Sequence, residues 1–149
     1  MASCSWQGAA SGWAGPLQGV TLRGMTLPHV VWLAGAGALG TLLRVACNAG
    51  AAWLLGHALP WGTLLVNVAG SFAFGAIAGY FRSRGTLPGG LETILLVGLL
   101  GGFTTFSSYA FQSLELVEHG RAAAALAYVV ATNVLAIGAA WAGLRLFVA

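Results

Sequence analysis

Between residues 28 and 147 the chain carries four apolar stretches, at about 29–56, 61–81, 91–114 and 122–147. Each is close to or longer than the roughly 20 residues that an α-helix needs to cross about 30 Å of hydrocarbon. Charged residues make up only 6% of the 149 residues, against about a quarter in soluble domains, which excludes a water-soluble fold. The connections HALP (57–60), RSRGTLPGG (82–90) and ELVEHGR (115–121) keep Pro60 and Pro88 outside the spans. The sequence therefore predicts an all-α membrane protein of four transmembrane helices, residues 28–149, with no other domain. Residues 1–27, rich in Gly, Ser and Ala, lack a continuous apolar run and are expected to form a disordered tail. Met25, just ahead of the first span, is an alternative start.

Small residues recur at helix-packing spacing: Ala36 and Gly40, Gly75 and Gly79, Gly98 and Gly102, Ala139 and Gly143. Lipid tails are as apolar as leucine, so helices in a bilayer associate through the close backbone approach that such pairs allow. Four helices make too small a bundle to enclose a wide aqueous path, which points to an oligomer. Arg23, Arg82, Arg84 and Arg145 fall on one side and Arg121 on the other, joined by Arg44 if that group reaches out of the first helix. That imbalance is small for the positive-inside rule and leaves orientation nearly undecided.

The dispersed arginines and a net charge of +3 give no footprint for nucleic acid. Cys4 and Cys47 have neither ligand nor disulfide spacing. His29, His57 and His119 stand apart at segment edges. Aspartate is absent, and Glu92, Glu115 and Glu118 lie near helix ends, so an enzyme needing paired carboxylates has nothing to use.

Polar groups inside the spans carry the remaining information. Thr63, Asn67 and Ser71 lie four residues apart, with Gly70 alongside, and share one face of the second helix. An amide there serves either as interhelical glue or as part of a polar track for a small solute. Tyr128 and Thr132 form an i, i+4 pair on the fourth helix, with Asn133 on the adjacent face. Arg44 is the one clearly intramembrane charge; it either snorkels to the headgroups or attracts an anion.

The stretch GGFTTFSSY, residues 101–109, is the least expected in an apolar helix. Paired glycines each lower helix stability by about 1 kcal/mol relative to alanine, and the hydroxyls after them can replace lost backbone partners. A break at membrane depth is tolerated where it is buried in protein or lines water, and its freed carbonyls can coordinate a cation. Phe106 and Tyr109 share one helical face, and aromatic edges are electropositive. The stretch is thus either an aromatic packing motif beside a glycine kink or an anion-facing break.

With these residues in view, the chain resembles the Fluc (CrcB) family of fluoride channels. The resemblance rests on GAGALGTLLR at 35–44, WGTLLVNVAGSF at 61–72, GLLGGFTTFSSY at 98–109, and Tyr128 and Thr132 leading to GAAWAGLRL. It covers all four spans in order. It implies an antiparallel, dual-topology dimer, either a homodimer or a pairing with a paralogue, with a third helix broken mid-membrane and two fluoride pores. It also implies a structural sodium ion at the dimer centre, held by the backbone carbonyls of Gly101 and Thr104. Asn67 would be the pore asparagine, Phe106 the first pore phenylalanine and Arg44 the vestibule arginine. Tyr128 and Thr132 would be pore-side polar groups, with Thr63 and Ser107 or Ser108 as further donors. Tyr109 stands where the family pattern has a second phenylalanine, and its phenol either donates to the ion or turns away.

The implied activity is passive, fluoride-selective efflux across a bacterial cell membrane, protecting the cell from fluoride; it is not enzymatic. The rival from another class, a proton-coupled small multidrug exporter, needs an intramembrane carboxylate that this sequence does not offer. A helical assembly subunit, whose polar groups only join helices, is the third reading.

Overall fold

The computed structural model describes residues 25–84 and 90–148. Residues 1–24 of the expected tail, with Cys4 and Arg23, and the part of the second connection that holds Pro88 lie outside the described residues. Among the described residues, four helical spans are long and apolar enough to cross a membrane: Leu27–Leu55, Trp61–Arg84, Leu91–Glu118 and Ala122–Arg145. The two shortest have 24 residues, about 36 Å at 1.5 Å per residue. The first helix opens with Pro28 in its first turn, where a missing N–H costs nothing. It stops at Gly56, whose φ of 75° is a conformation that side-chain-bearing residues resist. Arg82 and Arg84 close the second helix and Arg145 the fourth, each a cation at the negative end of a helix dipole.

The second and fourth helices form the most extensive pair, and the first helix lies against the N-terminal half of the third span. The small residues are the reason these backbones can meet. A β-carbon at Gly75 would run into the Ala140 carbonyl, and one at Gly143 into the Phe72 carbonyl. Gly40 likewise abuts Leu99, and Gly102 abuts Gly37. Close approach of this kind substitutes for the hydrophobic drive that a bilayer does not provide. Few side chains are fully enclosed; Thr63, Val66 and Leu96 are the largest of them. Trp32, Leu42, Trp53, Ile137 and Trp141 point outward, toward surroundings that must be as apolar as they are.

The third span is broken, but not at its glycine pair. An α-helical turn, Leu91–Thr93, leads into a π-helical stretch, Ile94–Leu100, and then a second α-turn, Gly101–Phe103. The chain is extended at Thr104 (φ −79°, ψ 162°) and Thr105 (φ −153°, ψ 115°), and helix resumes over Phe106–Glu118. The glycine pair that weakens the helix in the sequence is therefore not where it opens: Gly101 is helical, with φ −62° and ψ −36°. The physical reason lies in where replacement partners exist. The Thr105 N–H finds one on the second helix, whereas Gly98 and Gly102 serve the contact with the first helix.

Candidate functional site

Asn67 holds the break. Its Oδ1 accepts from the Thr105 N–H at 2.8 Å, and its Nδ2 donates to the Thr105 carbonyl at 3.0 Å. One side-chain amide thus replaces the backbone acceptor that the interrupted helix withdraws from the Thr105 N–H, 38 residues away in sequence, and adds a donor to the Thr105 carbonyl. Two such bonds, in a medium where an unpaired peptide group costs several kcal/mol, fix where the helix can open. One Nδ2 proton is left over, since a primary amide has two.

Thr105 also starts the helix that follows. Its Oγ1 accepts from the Ser108 N–H at 3.2 Å and lies 3.0 Å from the Ser108 hydroxyl, the arrangement of an N-cap. Ser107 Oγ is 3.4 Å from the same oxygen. Both serines, expected as ion-facing donors, take part in this cap. The diversion of two N–H groups has a further consequence. Gly101 would receive the Thr105 N–H in an unbroken helix, and Thr104 the Ser108 N–H, so both carbonyls lose their helical donors.

Beyond the cap, the resumed helix carries Phe106 and Tyr109 on one face with ring centroids 5.5 Å apart, as the helical phase predicts. Tyr109 continues the aromatic row to Tyr128, 5.6 Å away on the fourth helix. Phe106 is 78% exposed, an aromatic with little cover among the described residues beyond the Tyr109 ring. Tyr109 is buried, and its Oη receives a hydrogen bond from Asn133 Nδ2 at 2.7 Å. The phenol thus turns toward the fourth helix.

These groups line a groove of about 350 Å³ that collects Asn67, Gly70, Ser71, Thr104, Thr105, Phe106, Tyr109, Thr132 and Asn133. Among the described residues its lining carries no formal charge. A second cavity, about 490 Å³, opens beside the loop between the first two helices and takes Asn48, His57, Thr63, Gln112, Glu115, His119 and Arg121. Tyr128, buried at 3% exposure, stands between the two sets. Its hydroxyl donates to Gln112 on the cavity side at 3.4 Å, and the hydroxyls of Thr63 and Thr132 flank it. Thr132 Oγ1 is enclosed and completes no hydrogen bond among the described residues.

The structure therefore brings Asn67, Phe106, Tyr109 and Thr132 together, places Thr63 and Tyr128 next to them, and turns Ser107 and Ser108 into the cap. Arg44 lines neither recess; it is half-buried on the first helix, one turn from Asn48. Thr105, Asn48 and Gln112 were not singled out from the sequence. Thr105, a favoured N-cap residue directly ahead of Phe106, was a signal for a cap; nothing in the sequence distinguished Asn48 or Gln112 from ordinary interfacial polar groups.

Fold and site together define a small multi-pass membrane protein whose broken third helix backs a neutral, donor-rich groove. A family model described as CrcB-like protein, Camphor Resistance (CrcB), matches residues 31–144. The chain belongs to the CrcB-like family. It is 42% identical over 122 residues to a protein of Nitrobacter hamburgensis named Fluoride-specific ion channel FluC 1, covering 82% of this chain and 97% of that one. Identity to the Fluoride-specific ion channel FluC of Nitrobacter winogradskyi is 40%, again over 82% and 97% of the two chains. The protein of the same name from Rhodospirillum centenum is 44% identical over 117 residues, 78% of this chain and 93% of its own.

Proposed function

We propose that this protein is a fluoride channel, not an enzyme, and that it passes fluoride down its gradient and so lowers the cytoplasmic load. The observation that carries the reading is the groove: neutral N–H, O–H and aromatic-edge donors converge on it from three spans, and among the described residues no full charge stands in it. Fluoride is small and strongly hydrated, so its water must be replaced in stages by groups that do not hold it too tightly. The names of the relatives agree with this chemistry. HF crosses membranes and dissociates in a near-neutral cytoplasm, and the trapped anion then needs a pore.

In this reading Asn67, Phe106, Tyr109, Thr132 and Tyr128 face the ion, Thr63 hands it toward the wider cavity, and Arg44 attracts it from the headgroup side. The groove is open on one flank, and the uncovered Phe106 ring lies there. A second copy, or a paralogue, packed antiparallel would close it, and the near balance of arginines on the two sides suits dual topology. At the two-fold axis of such a dimer, the Gly101 and Thr104 carbonyls of both subunits would hold a sodium ion. The fit is chemical: these carbonyls have lost their helical donors, and hard cations take oxygen ligands. The ion would supply a positive centre joining the subunits.

Purified protein in liposomes loaded with fluoride is expected to release it, read with a fluoride electrode, while chloride-loaded vesicles retain their anion. Absence of fluoride release, or equal chloride release, would reject the reading; proton-linked cation uptake would favour an exporter instead.

A further inference from the structure

We propose that the Tyr109 hydroxyl donates a hydrogen bond to the permeating anion and that Asn133 is the residue that aims it. The proposal rests on the fluoride-channel reading above and adds a donor that a phenylalanine at this position would lack.

The direction of the phenolic proton follows from what already occupies its oxygen. Asn133 Nδ2 lies 2.8 Å from the Val129 carbonyl and 2.7 Å from Tyr109 Oη. A carbonyl only accepts, so the Asn133 atom facing it is the amide nitrogen, which settles the orientation of the side chain. That nitrogen has two protons, one for Val129 and one for Tyr109, and no capacity to accept. The Tyr109 proton is therefore excluded from this contact and must point elsewhere. No other hydrogen bond of the Tyr109 hydroxyl forms among the described residues. An oxygen that already accepts also makes its own proton a stronger donor, through mutual polarisation along the chain of bonds.

Position completes the argument. Tyr109 lines the uncharged groove together with Asn67 and Thr132. The spare Asn67 amide proton and the Tyr109 hydroxyl come from two different spans, and Thr132 belongs to a third. Asn133 itself has spent both protons, so it acts through Tyr109 and is a positioning residue. A helix-joining role for the same bond would hold the third and fourth spans together without altering how fluoride is bound.

The test compares wild type, Tyr109→Phe, Asn133→Leu and the double variant in liposomes, measuring initial fluoride efflux against internal fluoride concentration, with thermal stability in parallel. Asn133 is exposed in the subunit, so leucine there is compatible with the fold. Loss of one hydrogen bond to an ion is expected to raise the half-saturating fluoride concentration about tenfold in Tyr109→Phe. Asn133→Leu is expected to raise it about threefold alone, a part of that same loss, and not at all in the Tyr109→Phe background. A Tyr109→Phe channel with the wild-type half-saturating concentration overturns the proposal, whatever happens to stability. So does an Asn133→Leu effect that persists in full in the double variant. Wild-type protein that carries no fluoride overturns the channel reading as well, which separates the two failures.

Discussion

Asn67→Ala is expected to cut fluoride efflux by roughly a hundredfold and to lower thermal stability at the same time. Alanine leaves the Thr105 N–H without its partner at membrane depth, where an unmet group costs about 1–3 kcal/mol, and takes one donor away from the Thr105 carbonyl. It also removes the remaining amide proton from the groove. A loss of about 3 kcal/mol corresponds to roughly a hundredfold in rate. The two consequences are separable. If the spare proton alone matters, flux falls and the melting temperature does not; if the strap alone matters, the fall in flux tracks the fall in stability. If two copies pair as proposed, dimer yield in crosslinking is expected to stay at the wild-type level. Unaltered efflux would remove Asn67 from the conduction path.

The reason for so large an effect is the order in which the elements depend on one another. Asn67 fixes Thr105, Thr105 caps the helix that follows, and that helix carries Phe106 and Tyr109. A single amide on the second span therefore sets the direction of both rings. Tyr109 is then held from the opposite side by Asn133 on the fourth span. The groove is a joint product of three spans, and a disturbance at any one of them reaches the groups that line it.

The spans themselves were legible from hydropathy, because continuous apolar runs of this length have one stable outcome in a bilayer. The close helix pairs were legible too, from Gly75, Gly98, Gly102 and Gly143, since spacing of small residues records where backbones touch. The position of the break was not. Composition drew attention to Gly101 and Gly102, the residues that weaken a helix, whereas the break goes to Thr104 and Thr105, where a partner 38 residues away can satisfy the backbone. Helix propensity is local and hydrogen-bond satisfaction is not. The same limit explains Ser107 and Ser108, whose contacts with the Thr105 hydroxyl at the cap depend on where the helix opens. The π-helical stretch at Ile94–Leu100 had no sequence signal at all. The direction of the Tyr109 phenol depended on Asn133, which the helical period had placed only on a neighbouring face.

Gly101→Leu and Gly102→Leu, one residue apart, are expected to fail in different ways. A β-carbon at Gly102 would collide with the Gly37 backbone, so leucine there forces the first helix off the third span and the subunit does not fold. At Gly101 the nearest atom to a β-carbon is the Leu96 carbonyl oxygen at 3.9 Å, ordinary contact, and the residue is exposed in the subunit. Leucine at 101 is therefore expected to leave the helical content of the subunit unchanged. What it would obstruct is whatever approaches this surface. If the Gly101 and Thr104 carbonyls of two subunits share a sodium ion, a branched side chain at 101 keeps the partner's carbonyls away. Crosslinking in detergent should then give monomer in place of dimer, and efflux should fall to background. Replacing sodium by a bulky organic cation is expected to lower the melting temperature of wild type and to leave that of Gly101→Leu unmoved. A Gly101→Leu protein that still forms the dimer and still responds to sodium would place the ion, or the two-fold axis, somewhere other than the break.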